Sequence, residues 1–98
     1  MIVCKFGGSS LSTSKKINMV SEILINKLKN NNVTSVFSAM GQTTNNILLC
    51  AEKSLECDET NYKNILNEIK CYTIDIIKNL FDDYGGILKD KIEKIFYE

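Results

Sequence analysis

Two short runs of apolar and β-branched residues, Ile2 to Phe6 and Val33 to Ser38, each lead directly into a small-residue turn, and one stretch of helical periodicity separates them. The turns are Gly7-Gly8 and Ala39-Met40-Gly41. Between the runs, Ile17, Val20, Ile23, Leu24 and Leu28 recur at helical spacing until Asn30, Asn31 and Asn32 interrupt them. Ser12, Thr13 or Ser14 can supply the N-cap, so the spacing predicts a helix near residues 13 to 30. Strand, helix, strand in this order implies a parallel pair joined by a right-handed crossover. Both glycine turns then lie at the same edge, beyond the carboxyl ends of the strands, where α/β proteins bind ligands.

The rest of the chain reads as helical. Thr43 or Thr44 caps a helix through Ile47, Leu48, Ala51 and Leu55, and Cys57 to Thr60 forms a polar connection. Tyr62, Ile65, Leu66, Ile69, Tyr72, Ile76, Ile77 and Leu80 then share one helical face, with Gly85 and Gly86 predicted as the break. A last helix carries Leu88, Ile92, Ile95 and Phe96. With no proline, repeat or linker in 98 residues, a single domain with one core is expected. Two parallel strands are too few for a sheet covered on both faces. The chain also stops at Phe96, Tyr97 and Glu98 inside an amphipathic pattern, so the expectation is the opening of a larger fold.

Composition narrows the chemistry. Twelve basic and twelve acidic residues cancel, which removes the cationic surplus that drives nonspecific nucleic-acid binding. The charge is uneven: residues 1 to 53 hold six lysines against Glu22 and Glu52, whereas residues 54 to 98 hold six lysines against ten acids. An anionic ligand therefore suits the N-terminal half. All basic residues are lysine, so no planar guanidinium fork is available for a carboxylate or phosphate. Histidine is absent, which removes Ser-His and Cys-His nucleophile pairs and most zinc or iron sites. Cys4, Cys50, Cys57 and Cys71 show no C-x-x-C spacing and read as core-filling thiols. With no signal-like leader after Met1 and no apolar run long enough for a membrane span, a reducing cytoplasm is expected.

Lysine, hydroxyls, carboxylates and backbone amides remain. In Lys5-Phe6-Gly7-Gly8-Ser9-Ser10, glycines permit close backbone approach to a phosphate, successive amides form an anion nest, and a strand-borne lysine adds full charge. Phosphoryl transfer needs those parts, because charge spreads over the moving phosphoryl oxygens in its transition state. The plain alternative is a strand-to-helix turn beside a surface lysine. Ser38-Ala39-Met40-Gly41-Gln42-Thr43-Thr44-Asn45 offers a second set of hydroxyls and helix-start amides, with simple N-capping by threonine as its alternative. The acids Asp58, Glu59, Glu68, Asp75, Asp82, Asp83, Asp90 and Glu93 are spread between lysines and read as a solvated helix face. Asp82-Asp83 is read as part of a loop before Gly85, not as a metal pair.

Taken together, KFGGSS and SAMGQTTN resemble the opening of the aspartate kinases, which typically carry K-F-G-G-[ST]-S followed by S-A-M-G-x-T-T-[DN]. The likeness covers roughly residues 1 to 55. Other amino-acid kinases, acting on acetylglutamate, glutamate, carbamate or UMP, share the lysine and glycines but usually lack the second run. The resemblance implies an α/β, amino-acid-kinase-like three-layer sandwich, of which residues 1 to 98 are the N-terminal part: the opening β-α-β and the following helices. It also implies ATP-dependent transfer of the γ-phosphoryl group to the side-chain carboxylate of L-aspartate, giving 4-phospho-L-aspartate, the first step of lysine, threonine and methionine biosynthesis. Carried over by position, Lys5 resembles the lysine that stabilises the transferring phosphoryl, and Phe6, Gly7, Gly8 and Ser9 the ATP phosphate loop. Ser38 and Thr44 match hydroxyls at the aspartate site. Mg2+ is held through the phosphates, with no protein metal ligands, and the intact parent is expected to be a cytoplasmic homo-oligomer without nucleic-acid or membrane partners.

The family's later elements are missing: a glutamate in a G-E motif, an arginine-glycine-glycine-serine-aspartate segment that holds the aspartate, the adenine region and the regulatory domains. The chain is therefore expected to be inactive alone. Two rivals are a related amino-acid or small-molecule kinase with another acceptor, and a noncatalytic helical interaction module whose glycine turns are structural.

Overall fold

The computed structural model describes residues 1–81 and 85–97. Strand β1 (Ile2–Phe6) leads through a single 3₁₀ turn (Ser9–Leu11) into helix α1 (Ser14–Leu28), and strand β2 (Val33–Phe37) follows. Helices α2 (Thr43–Leu55), α3 (Glu59–Leu80) and α4 (Gly85–Tyr97) complete the order. The chain divides into two compact units, Met1–Gln42 and Thr43–Glu98.

In the first unit β1 and β2 pair in parallel, with Cys4 opposite Ser35, Lys5 opposite Val36 and Phe6 opposite Phe37. The expected α/β crossover is present, and both glycine turns leave the carboxyl ends of the pair. Exposure alternates along β1: Ile2, Cys4 and Phe6 are half-buried, whereas Val3 and Lys5 are exposed. The Phe6 and Phe37 rings stack, their centroids 5.7 Å apart. On α1 the covered stripe is Ile17, Val20 and Leu24, while Ile23 and Leu28 face solvent more than the periodicity suggests. Leu11 and Val20 are the buried apolar residues of this unit.

Helix α1 starts where the spacing predicts, but at a distance from the glycine turn. A 3₁₀ turn and two further residues separate Gly8 from α1, and Thr13 is the N-cap, its Oγ1 accepting from the Lys16 N–H at 3.2 Å. The N-terminus of α1 therefore does not sit directly on the glycine turn. The spacing of apolar residues could not reveal this, because three residues of 3₁₀ helix leave no periodic signature.

In the second unit α3 packs against both α2 and α4. Cys50 on α2 donates its thiol hydrogen to the Tyr62 carbonyl at 3.6 Å, and burial pushes the thiol pKa up. The stripe expected on α3 is covered along its length, and Ile74, outside that stripe, is buried as well. A helix with neighbours on two sides needs this broader apolar arc. Asp58, read in sequence as solvated, caps α3, its Oδ1 accepting from the Asn61 N–H at 3.3 Å. Two further expectations change. Helix α3 ends at Leu80, capped by extended Phe81, and Gly85 opens α4 where the sequence suggests a break. Cysteine is not uniformly core-filling either: Cys50 is buried and Cys4 half-buried, but Cys57 and Cys71 are exposed. The Asp82-Asp83 pair lies outside the described residues. Among the described residues no side chain is completely buried, and no helix is long and apolar enough to cross a membrane.

Candidate active site

The two turns expected to carry chemistry meet at the carboxyl end of the strand pair. The Ser38 N–H donates to the Phe6 carbonyl at 3.0 Å, extending the strand pairing by one bond. The Gly41 N–H then donates to the Gly8 carbonyl at 2.9 Å, tying one turn to the other. Gly8 eases this approach. A Cβ there would lie 3.0 Å from the Gly41 carbonyl oxygen and 3.1 Å from that of Ala39, both backbone atoms that cannot swing aside. Gly41 adopts φ 53°, the left-handed region in which an L side chain is strained.

Gly7 contrasts with both. Nothing lies within 4 Å of the position its Cβ would take, and its φ is outside the left-handed region. The fold gives no reason for a bare backbone at Gly7, whereas close approach of a ligand does.

Ser9 and Ser38 are exposed, and Ser38 Oγ stands 3.6 Å from the Cβ position of Gly8, so the Ser38 hydroxyl lies beside the first glycine turn. Lys5 is exposed on the strand face opposite Phe6. On the Phe6 side, a cavity of about 320 Å³ is lined by Phe6, Ser9, Ser10 and Lys16 together with Met19 and Ile23. Thr44 belongs to the second unit, where it is exposed in the first turn of α2; beside it the Thr43 Oγ1 is buried without a hydrogen-bond partner.

The first unit holds five lysines against Glu22 alone, so its electrostatic character suits an anion. Among the described residues no cluster of three metal-ligating side chains occurs. One residue absent from the sequence reading belongs to the site. Lys16 reaches back from α1, its Nζ donating to the Ser9 carbonyl at 3.2 Å and to Ser12 Oγ at 3.3 Å. Its only sequence signal is a cation seven positions after Ser9, which acquires meaning once the intervening 3₁₀ turn is known.

No protein-family model matches the chain. The chain is 39% identical over 88 residues to "Aspartokinase 1, chloroplastic" of Arabidopsis thaliana, a match covering 88% of this chain and 15% of that protein. "Aspartokinase 2, chloroplastic" of the same plant is 36% identical over 63 residues, 64% of this chain and 11% of the relative. The "Aspartokinase" of Mycobacterium tuberculosis is 41% identical over 54 residues, 54% of this chain and 13% of the relative. The two joined glycine turns thus stand in a chain that is similar to the aspartokinases over most of its own length, and that spans 15% or less of these curated relatives.

Proposed function

We propose that residues 1 to 98 are the N-terminal part of a single amino-acid-kinase domain, a three-layer sandwich whose intact form is a cytoplasmic aspartate kinase and homo-oligomer. The observation that carries this reading is the apposition of the two turns through Gly8 and Gly41 at the carboxyl end of a parallel pair, in a chain similar to aspartokinases. In the reaction an aspartate side-chain carboxylate oxygen attacks the γ-phosphorus of ATP. A new P–O bond forms, the bond to the β-phosphate oxygen breaks, and ADP leaves with that electron pair. The nucleophile is already an anion, so no general base is needed and the absence of histidine is no obstacle.

In this scheme Lys5 supplies positive charge to the phosphoryl group in flight, and the backbone of Phe6, Gly7, Gly8 and Ser9 cradles the phosphates. Ser38 and Thr44 supply hydroxyls to aspartate. Mg2+ would be held through the ATP phosphates and would supply charge neutralisation there.

The test is Lys5→Met in the intact parent enzyme, assayed with ATP and, in turn, aspartate, glutamate and acetylglutamate. Turnover on aspartate should fall by about 10²-fold or more while the ATP KM changes little. Turnover within a few-fold of wild type removes Lys5 from the phosphoryl role, and preference for another acceptor reassigns the substrate.

A further inference from the structure

The Ser9 carbonyl accepts two hydrogen bonds, from Lys16 Nζ at 3.2 Å and from Ser12 Oγ at 2.9 Å, and the Lys16 ammonium also donates to that Ser12 hydroxyl at 3.3 Å. One residue earlier, the Gly8 carbonyl accepts from the Leu11 N–H at 3.2 Å and from the Gly41 N–H at 2.9 Å. Two successive peptide planes are therefore held by their oxygens. Because a trans peptide is planar, with its C=O and N–H pointing opposite ways, fixing the Ser9 carbonyl also fixes the direction of the Ser10 amide. The Gly8 carbonyl sets the Ser9 amide in the same way. Lys16 is itself anchored at its backbone, its N–H bonded to the Thr13 cap at 3.2 Å, so the ammonium is offered from a fixed point on α1. Its bond to Ser9 is charge-assisted and stronger than a bond between neutral groups.

We propose that Lys16 is a positioning residue for the phosphate loop: it clamps the Ser9 carbonyl and so aims the Ser10 amide at the phosphate chain of the bound nucleotide. This rests on the reading of the first turn as an ATP phosphate loop. The clamp lowers the cost of ordering the amides when an anion arrives, so binding gains from pre-organisation as well as from charge. It also links the loop to α1 across the 3₁₀ turn that separates them.

The test uses the intact parent with Lys16→Met and Lys16→Arg, probed with magnesium tripolyphosphate by calorimetry and by amide hydrogen exchange. Lys16→Met should speed exchange of the Leu11 amide about tenfold, weaken tripolyphosphate about tenfold, and leave exchange at Thr73 in α3 unchanged. Lys16→Arg, which keeps the charged donors, should restore both values to within about twofold. Unchanged Leu11 exchange overturns the clamp, and weaker binding without faster exchange overturns it in favour of a plain charge effect. Faster exchange with undiminished affinity makes Lys16 merely structural and also overturns the proposal. If the wild-type chain does not bind tripolyphosphate, the phosphate-loop reading fails and the positioning role falls with it. If the wild type binds and Lys16→Met binds equally, the positioning role alone fails.

Discussion

Adjacent glycines in the first turn have different reasons to be glycine, and substitution separates them. Gly8→Ala places a methyl 3.0 Å and 3.1 Å from two backbone oxygens, so the second turn must give by a few tenths of an ångström and its bonds to the first loosen. Hydrogen exchange at the Ser38 and Gly41 amides, which bond the first turn, should accelerate, with a stability loss of about 1–3 kcal/mol. Gly7→Ala meets nothing within 4 Å and should leave exchange at those amides unchanged and raise the denaturation midpoint slightly, through the less free unfolded chain, while weakening tripolyphosphate. A Gly7→Ala chain that binds as the wild type does would leave Gly7 without a functional reason. Thr44 gives a second residue-scale prediction. Its side chain is exposed, so Thr44→Val in the intact parent should raise the aspartate KM and leave that for ATP nearly unmoved. Equal weakening of both would indicate a damaged helix start.

At the scale of an element, the C-terminus of α2 is a Schellman closure built on the wrong residue. The Asp58 N–H donates to the Lys53 carbonyl at 2.9 Å and the Cys57 N–H to that of Ser54 at 3.1 Å, which places Cys57 at the position where glycine is usual. Its φ is 60°, a left-handed conformation that costs a β-carbon-bearing residue about 1 kcal/mol or more. Cys57→Gly should therefore stabilise the chain by about 1 kcal/mol in urea denaturation, offset in part by the freer unfolded backbone, whereas Cys57→Val should destabilise it. Cys57 is exposed, so neither change disturbs the core. An unchanged midpoint for both variants would mean that the turn relaxes without cost. The exposed i,i+4 pair of Glu59 and Lys63 opens α3. The Lys63 hydrogen bond, then its charge, lowers the Glu59 carboxyl pKa, so any contribution is present above the unfolded value and lost as pH falls through the folded one.

On the scale of the whole molecule, much apolar surface has no cover. Val3 and Val36 stand 69% and 53% exposed on the Lys5 face of the strand pair, and Leu48 and Leu55 on α2 stand 64% and 87% exposed. Two strands also leave two unpaired edges. Such faces associate, so the isolated chain should sediment well above its 11.1 kDa monomer mass. It should also form no phospho-aspartate from ATP, magnesium and aspartate, since it has no arginine to grip a dicarboxylate. A monodisperse monomer that phosphorylates aspartate would overturn the fragment reading.

Much of this was legible in sequence, for a physical reason. The apolar, β-branched run of Ile2–Phe6, the helical stripe on α3 and the threonines and glycines at element ends are local signals, set by backbone geometry within a few residues. They sufficed for the strand order and for the place of both glycine turns. Contacts between distant residues were not legible. That Gly8 is held against Ala39 and Gly41, that Lys16 returns to Ser9, and that Ile74 is buried depend on which elements approach one another. The 3₁₀ turn after Gly8 escaped because one short turn has no period. Propensity acts residue by residue, so the sequence alone determined where the chain extends, coils and bends. The tertiary structure decided which glycine is squeezed and which lysine holds the loop, because those depend on distances between atoms that the chain order leaves far apart.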